Sequence, residues 1–111
     1  MVDHIALLVD DLEKAENWYM DNLDATVEFK DQFYTRLRLG NVCIALIDKT
    51  HYPCEHIGIL VEDIKNLPLE KGEIVKHRDG TIGVYVKDPF GNYLEYIWYS
   101  DQRKKVFLKD G

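Results

Sequence analysis

A ten-residue segment of this chain occurs twice. Asp3-His4-Ile5-Ala6-Leu7-Leu8-Val9-Asp10-Asp11-Leu12 is matched in chemical type by Glu55-His56-Ile57-Gly58-Ile59-Leu60-Val61-Glu62-Asp63-Ile64, 52 residues later. Each copy is an acid, a histidine, a mostly branched apolar run, two acids and a branched residue. Self-similarity of this kind implies two copies of one supersecondary unit, so a pseudo-duplicated fold is expected. A histidine heads each copy. Equivalent imidazoles on two related strands can meet across a pseudo-twofold axis, and that is the first pointer to a metal.

In the first copy, residues His4 to Val9 read as a strand buried on both faces. Asp10 or Asp11 caps the helix that follows, and Glu13 adds negative charge at its positive end. Leu12, Ala15, Tyr19 and Leu23 form the face that packs on a sheet, and Asn22 and Asp24 close the helix. Thr26–Phe29, Tyr34–Leu39 and Val42–Ile47 read as strands, the last two joined at Gly40-Asn41. The second copy repeats this order. A strand from Glu55 leads to a helix made short or irregular by Pro68, then to a hairpin of Ile74–His77 and Thr81–Val86 around Asp79-Gly80. The turn Asp88-Pro89-Phe90-Gly91-Asn92 precedes a last strand, Tyr93–Tyr99. The fold class expected is α+β: two βαβββ modules, 1–50 and 55–99, pairing into a cup-shaped, partly open mixed β-barrel with flanking helices, in one domain spanning 1–111. The tail 100–111 carries Arg103, Lys104, Lys105 and Lys109 with little periodicity, and reads as a solvated extension or a dimer-contacting arm.

A chain of 111 residues suits a single domain that buries about two thirds of its unfolded surface. Twenty acids against fourteen bases, a formal charge of −6, disfavour nucleic acid as a partner. No apolar run is long enough to span a bilayer and no basic, then apolar, leader opens the chain, so no membrane partner is expected and the location expected is cytoplasmic. Cys43 and Cys54 allow one bridge but no disulfide framework.

Alternation places His4, Ala6 and Leu8 on one face of the first strand, and His56, Gly58 and Leu60 on one face of its counterpart. On the last strand Tyr93, Glu95, Ile97 and Tyr99 share a face. An acid inside Tyr93-Leu94-Glu95-Tyr96-Ile97-Trp98 is costly to bury unless paired or bound to a cation. Two histidines and a carboxylate from three neighbouring strands would form a facial triad with roughly three open positions on an octahedral metal, a set suited to iron(II) or manganese(II). The competing reading makes His4 and His56 polar strand ends near solvent and pairs Glu95 with a lysine or arginine. Duplication of the histidines in register and the apolar enclosure of the acid favour the metal.

With these residues the chain resembles the vicinal oxygen chelate superfamily, which includes glyoxalase I, extradiol dioxygenases, and fosfomycin- and bleomycin-resistance proteins. The resemblance covers residues 1 to about 99 and rests on the paired modules, on His4 and His56, and on Asp88-Pro89-Phe90-Gly91-Asn92-Tyr93-Leu94-Glu95. It implies His4, His56 and Glu95 as ligands of a divalent metal, iron(II) foremost, with manganese(II), nickel(II) or zinc(II) as the others. It implies a small-molecule substrate chelated through two oxygens, and a homodimer, since small members commonly complete their walls with a partner. It does not choose the reaction, because one scaffold hosts isomerases, oxygenases, transferases and binders.

Two details sort the members. Glyoxalase I has a fourth ligand, a glutamate on the last strand of the first module. Counting 51 residues back from Glu95 lands on Ile44, with Asp48 placed beyond the strand, so no carboxylate stands there. Against this, Val75-Lys76-His77 and Val84-Tyr85-Val86-Lys87-Asp88-Pro89-Phe90-Gly91 ahead of Glu95 look like the extradiol ring-cleavage signature. Carried over, His77 donates to a substrate oxygen and Tyr85 hydrogen-bonds it. The alternatives are a solvated hairpin histidine and a cross-strand aromatic. The acid–base histidine that extradiol enzymes take from the first module has no counterpart, because His51 sits in a loop beside Pro53. Arg36 and Arg38 share a strand face, either to attract an anion or as solvated edge charges, the second being preferred. Trp18 and Tyr19 read as core or interface aromatics. The function expected is a metal-dependent enzyme, first an extradiol-type Fe(II) dioxygenase and next a glyoxalase-like lyase or isomerase. A metal-free antibiotic or metabolite binder of the bleomycin-resistance type is the other class.

Overall fold

Asp11, in extended backbone, accepts a hydrogen bond from the Lys14 amide and so starts helix α1 (Leu12–Leu23). Asp24 ends it in the left-handed region, its N–H reaching the Tyr19 carbonyl. In between, Leu12, Ala15 and Tyr19 come round at helical spacing and pack on Ala25, Leu37 and Leu46. Leu23, expected on the same face, is exposed instead. The computed structural model that shows this describes residues 1–52 and 54–107.

The chain divides into two units, Asp3–His56 and Met1–Val2 with the chain from Ile57 on. Both are α+β. The first unit has strands β1 (Val2–Val9), β2 (Thr26–Lys30), β3 (Tyr34–Leu39) and β4 (Val42–Asp48), in the order β2-β3-β4-β1. Neighbours are antiparallel except β4 and β1, which run parallel with Ala6 opposite Ala45. One face of this sheet lies under α1. The other carries Ala6, Ala45 and Ile47, with Leu8, Tyr34 and Tyr52 packed on them. Burial of β1 on both faces is not met. Ile5 is 37% exposed, whereas Leu7 and Val9 on that side pack on the Ala25, Leu37 and Leu46 cluster. Between β2 and β3 the register slips by one residue at Glu28, since Val27 faces Leu37 but Phe29 faces Arg36.

The second unit has β5 (His56–Leu60, from Ile57 on), β6 (Glu73–Lys76), β7 (Ile82–Lys87) and β8 (Tyr93–Trp98), ordered β6-β7-β8-β5 with β8 and β5 parallel. The expected short helix is a single 3-10 turn, Ile64–Asn66. Gly80 and Gly91 take positive φ in the two tight turns of this unit. The Asp88 carboxylate bonds the amides of Phe90 and Asn92, so Asp88-Pro89-Phe90-Gly91-Asn92 is a self-bonded turn that launches β8. Asp101–Phe107, expected to be an extension, is a helix, α2. Ser100 receives the Arg103 amide, Arg103 grips Asp79 at 2.6 Å, and Phe107 packs edge-on to Tyr99. Short sequence periodicity hid it, because seven residues held by tertiary contacts need no amphipathic stripe. Residues 108–111 of that tail, and Pro53, lie outside the described residues. Among the described residues no helix is long and apolar enough to cross a membrane.

Candidate metal centre

His4 on β1 and His56 at the head of β5 both fall in the first unit and are buried, 6% and 8% exposed. Their rings stand edge to face, with centroids 5.2 Å apart and the two Nε2 atoms separated by 3.2 Å. The outer nitrogens decide the tautomers. Nδ1 of His4 is 2.7 Å from the Asp3 carboxylate, and Nδ1 of His56 is 3.2 Å from the Cys54 carbonyl. Both partners only accept, so each Nδ1 carries its hydrogen and each Nε2 presents a lone pair. Two lone pairs turned on one another repel. A proton or a metal cation between the rings converts that repulsion into attraction.

The surroundings of His4 are charged. Asp3 is itself 3.5 Å from Nη1 of Arg36, whose Nε is 3.4 Å from Glu28. Glu28 also receives Arg38 at 3.1 Å and the Cys43 thiol at 2.9 Å. Burial pushes the Glu28 carboxyl up, but the hydrogen bonds from Cys43 and Arg38 and the two guanidinium charges outweigh it and leave it below the usual range. Burial, then the bond to Glu28, push the Cys43 thiol up to about 11, so it stays a donor. Arg36, which is buried, and Arg38, which stays partly exposed, are therefore not edge charges. Their strand lies between β2 and β4, and Glu28, at the register slip, pairs with both. Cys43 and Cys54 are free thiols and form no bridge.

In the second unit Glu95 is 4% exposed on β8, with Tyr85 directly opposite on β7. Opposed residues of an antiparallel pair project to the same side, so Tyr85, Glu95, Gly83 and Ile97 share a face. Gly83 leaves the space that the acid fills, since a Cβ there would stand 2.6 Å from the Glu95 Oε2. His77 lies one residue beyond β6, in line with Val75 opposite Gly83, and its N–H bonds the Thr81 carbonyl. Burial first, then the Arg103 guanidinium, hold its imidazole below the ordinary histidine range, while Glu95 and Asp79 pull the other way. His51 is exposed and stacks on Phe33 at 4.0 Å. Trp18 is 55% exposed, not core.

The strand pairings also correct the count between modules. Ala6 pairs with Ala45 as Gly58 pairs with Glu95, so the residue equivalent to Glu95 is Ala45, not Ile44. Asp48 closes β4 instead of lying past it. No carboxylate stands at the equivalent place under either count. By the same pairing Arg36, opposite Ala45, is the counterpart of Tyr85. Asp3 and Glu28 were missed as parts of the site. The acid before each repeated histidine was the available signal for Asp3, whereas a register slip leaves no mark in the residue pattern.

The family model of the Glyoxalase/Bleomycin resistance protein/Dioxygenase superfamily matches residues 1–58. Among solved structures, a superfamily member from Vibrio splendidus 12B01 is similar at a TM-score of 0.68 and 15% identity, over 89% of this chain and 100% of that one. Methylmalonyl-CoA epimerase from Mycobacterium tuberculosis is similar at 0.66 and 15%, over 92% and 89%. The Mn(II)-bound glyoxalase from Novosphingobium aromaticivorans is similar at 0.61 and 18%, over 87% of this chain but 37% of that one. At such identities the likeness is one of fold. No curated protein matches the chain. With half of its length matched by the family model, the chain belongs to the glyoxalase/bleomycin resistance protein/dioxygenase superfamily.

Proposed function

We propose that this protein is a divalent-metal-dependent enzyme acting on a small substrate with two adjacent oxygens, by extradiol-type dioxygenation with iron(II). The observation that carries the metal is the 3.2 Å between the two buried Nε2 atoms, with each Nδ1 within hydrogen-bond reach of an acceptor oxygen. In this reading Glu95 adds the third donor. Each of the three residues offers one buried ligand atom, and two imidazoles with a carboxylate suit iron(II) or manganese(II). The manganese held by the Novosphingobium glyoxalase supports a divalent ion on this scaffold. When bound, the metal supplies Lewis acidity toward the substrate oxygens and, as iron, redox capacity toward dioxygen.

The chain's own groups do the rest. The Tyr85 hydroxyl, on the face of Glu95, donates to a substrate oxygen. His77, kept neutral by burial and by Arg103, takes up and returns a proton at a substrate hydroxyl. Ala45 in place of a fourth carboxylate favours this reaction over a four-ligand isomerisation. A glyoxalase-like lyase or isomerase is the second reading, favoured by the stacking of His51 on Phe33, which leaves His77 as a lone proton carrier. A cytoplasmic homodimer completes the proposal, with exposed Trp18 as apolar surface for a second copy.

Elemental analysis of protein purified without added metal tests it, with stoichiometric transition metal expected and Glu95→Gln folded but depleted. A chain that holds no metal and takes none on titration is a small-molecule binder instead. Given metal, the iron(II) form is offered a catechol, and oxygen uptake with a coloured ring-fission product is expected. Their absence removes the dioxygenase and leaves the lyase.

A further inference from the structure

We propose that Asp3, Arg36 and Glu28 form a positioning relay for His4 alone, built into only one of the two modules; it rests on the metal reading above for its purpose. The Asp3 and Arg36 side chains are 10% and 7% exposed. From the His4 imidazole the contacts run to Asp3, then as ion pairs, not hydrogen bonds, to Arg36 at 3.5 Å and on to Glu28 at 3.4 Å. Buried ion chains stabilise a fold no better than apolar packing does, but each member fixes the next one's orientation. Here the last member sits at the slip in β2, and Arg38 and Cys43 anchor it. The product is an imidazole whose Nδ1–H is held by a carboxylate, which makes its Nε2 a better and better-aimed donor to a metal.

In the other module the corresponding residues have different partners, although the repeat supplies the same residue type. Glu55, the counterpart of Asp3, accepts from the Leu8 amide at 3.1 Å, and the His56 Nδ1 turns to the Cys54 carbonyl. The counterpart of Arg36 is Tyr85, which faces Glu95. At Nδ1, His4 thus has an anionic partner and His56 a neutral one. The duplicated pair is chemically unequal.

The test uses the full chain, with imidazole nitrogen NMR before metal is added and competition against a chromogenic chelator for Mn(II) or Co(II). Asp3→Ala is expected to release His4 from its Nδ1–H tautomer and leave His56 unchanged. Asp3→Asn keeps an acceptor oxygen and so the tautomer, but removes the charge. Both are expected to weaken metal binding about 10- to 100-fold. Arg36→Met is expected to give the same His4-selective change, smaller. Equal responses of His4 and His56 to Asp3→Ala, or none, overturn the relay. Metal affinity untouched by both Asp3 variants also overturns it and leaves the metal reading standing. Wild-type protein that takes no divalent ion, with His4 still following Asp3 in the spectra, supports the relay and overturns the metal reading.

Discussion

Gly83→Ala moves one proposed ligand without altering its chemistry. Gly83 is not among the glycines at positive φ, so its backbone accepts alanine. The added Cβ would lie 2.6 Å from the Glu95 Oε2 and 3.4 Å from its Cδ and Cγ. Ordinary contact is restored if the oxygen retreats by about 0.8 Å, and the atom displaced is the far end of a flexible side chain. Overpacking then costs near the low end of its range, about 1 kcal/mol, and replacing glycine in a strand returns roughly half of that. The melting temperature should barely change. A metal site tolerates ligand errors of only about 0.2 Å, so the same shift should weaken metal binding at least tenfold, about 1.4 kcal/mol. Thermal unfolding followed by circular dichroism reads the first quantity and chelator competition the second. Unchanged affinity in a folded variant would refute the reasoning, because the carboxylate would then have moved without the cation noticing.

Arg103→Gln should raise the His77 titration midpoint, since it removes the nearby cation and leaves Asp79 and Glu95 to favour the imidazolium; a histidine proton NMR titration that moves down, or not at all, contradicts this. Cys43 holds its proton more tightly folded, at about 11 against an ordinary 9.0, so its contribution to stability is complete below about pH 9 and is lost as pH rises through about 11. Urea unfolding across that window should therefore decline more steeply for the wild type than for Cys43→Ala. In the same native state Cys54, only partly buried, should alkylate well before Cys43.

Much of the scaffold was legible in the residues because its signals are local. The Asp11 cap, the Leu12/Ala15/Tyr19 stripe, and the glycine turns at 40, 80 and 91 depend on near neighbours in sequence and formed as read. The repeat likewise marked His4 and His56, and both heads came together within one unit. What the residues could not announce were contacts set by register. Arg36, read as a surface charge, is buried, Arg38 pairs with Glu28 while staying partly exposed, and a shift of one position replaced Ile44 by Ala45 as the match to Glu95. Helix α2 was hidden for the same reason, since Arg103 on Asp79 and Phe107 on Tyr99 hold it from distant parts of the chain. Sequence by itself determined the duplicated elements and the residue types at their heads, because backbone propensity and side-chain alternation act over a few residues. Only the tertiary structure decided which acid faces which base, because a single slipped residue reverses the side to which a side chain points.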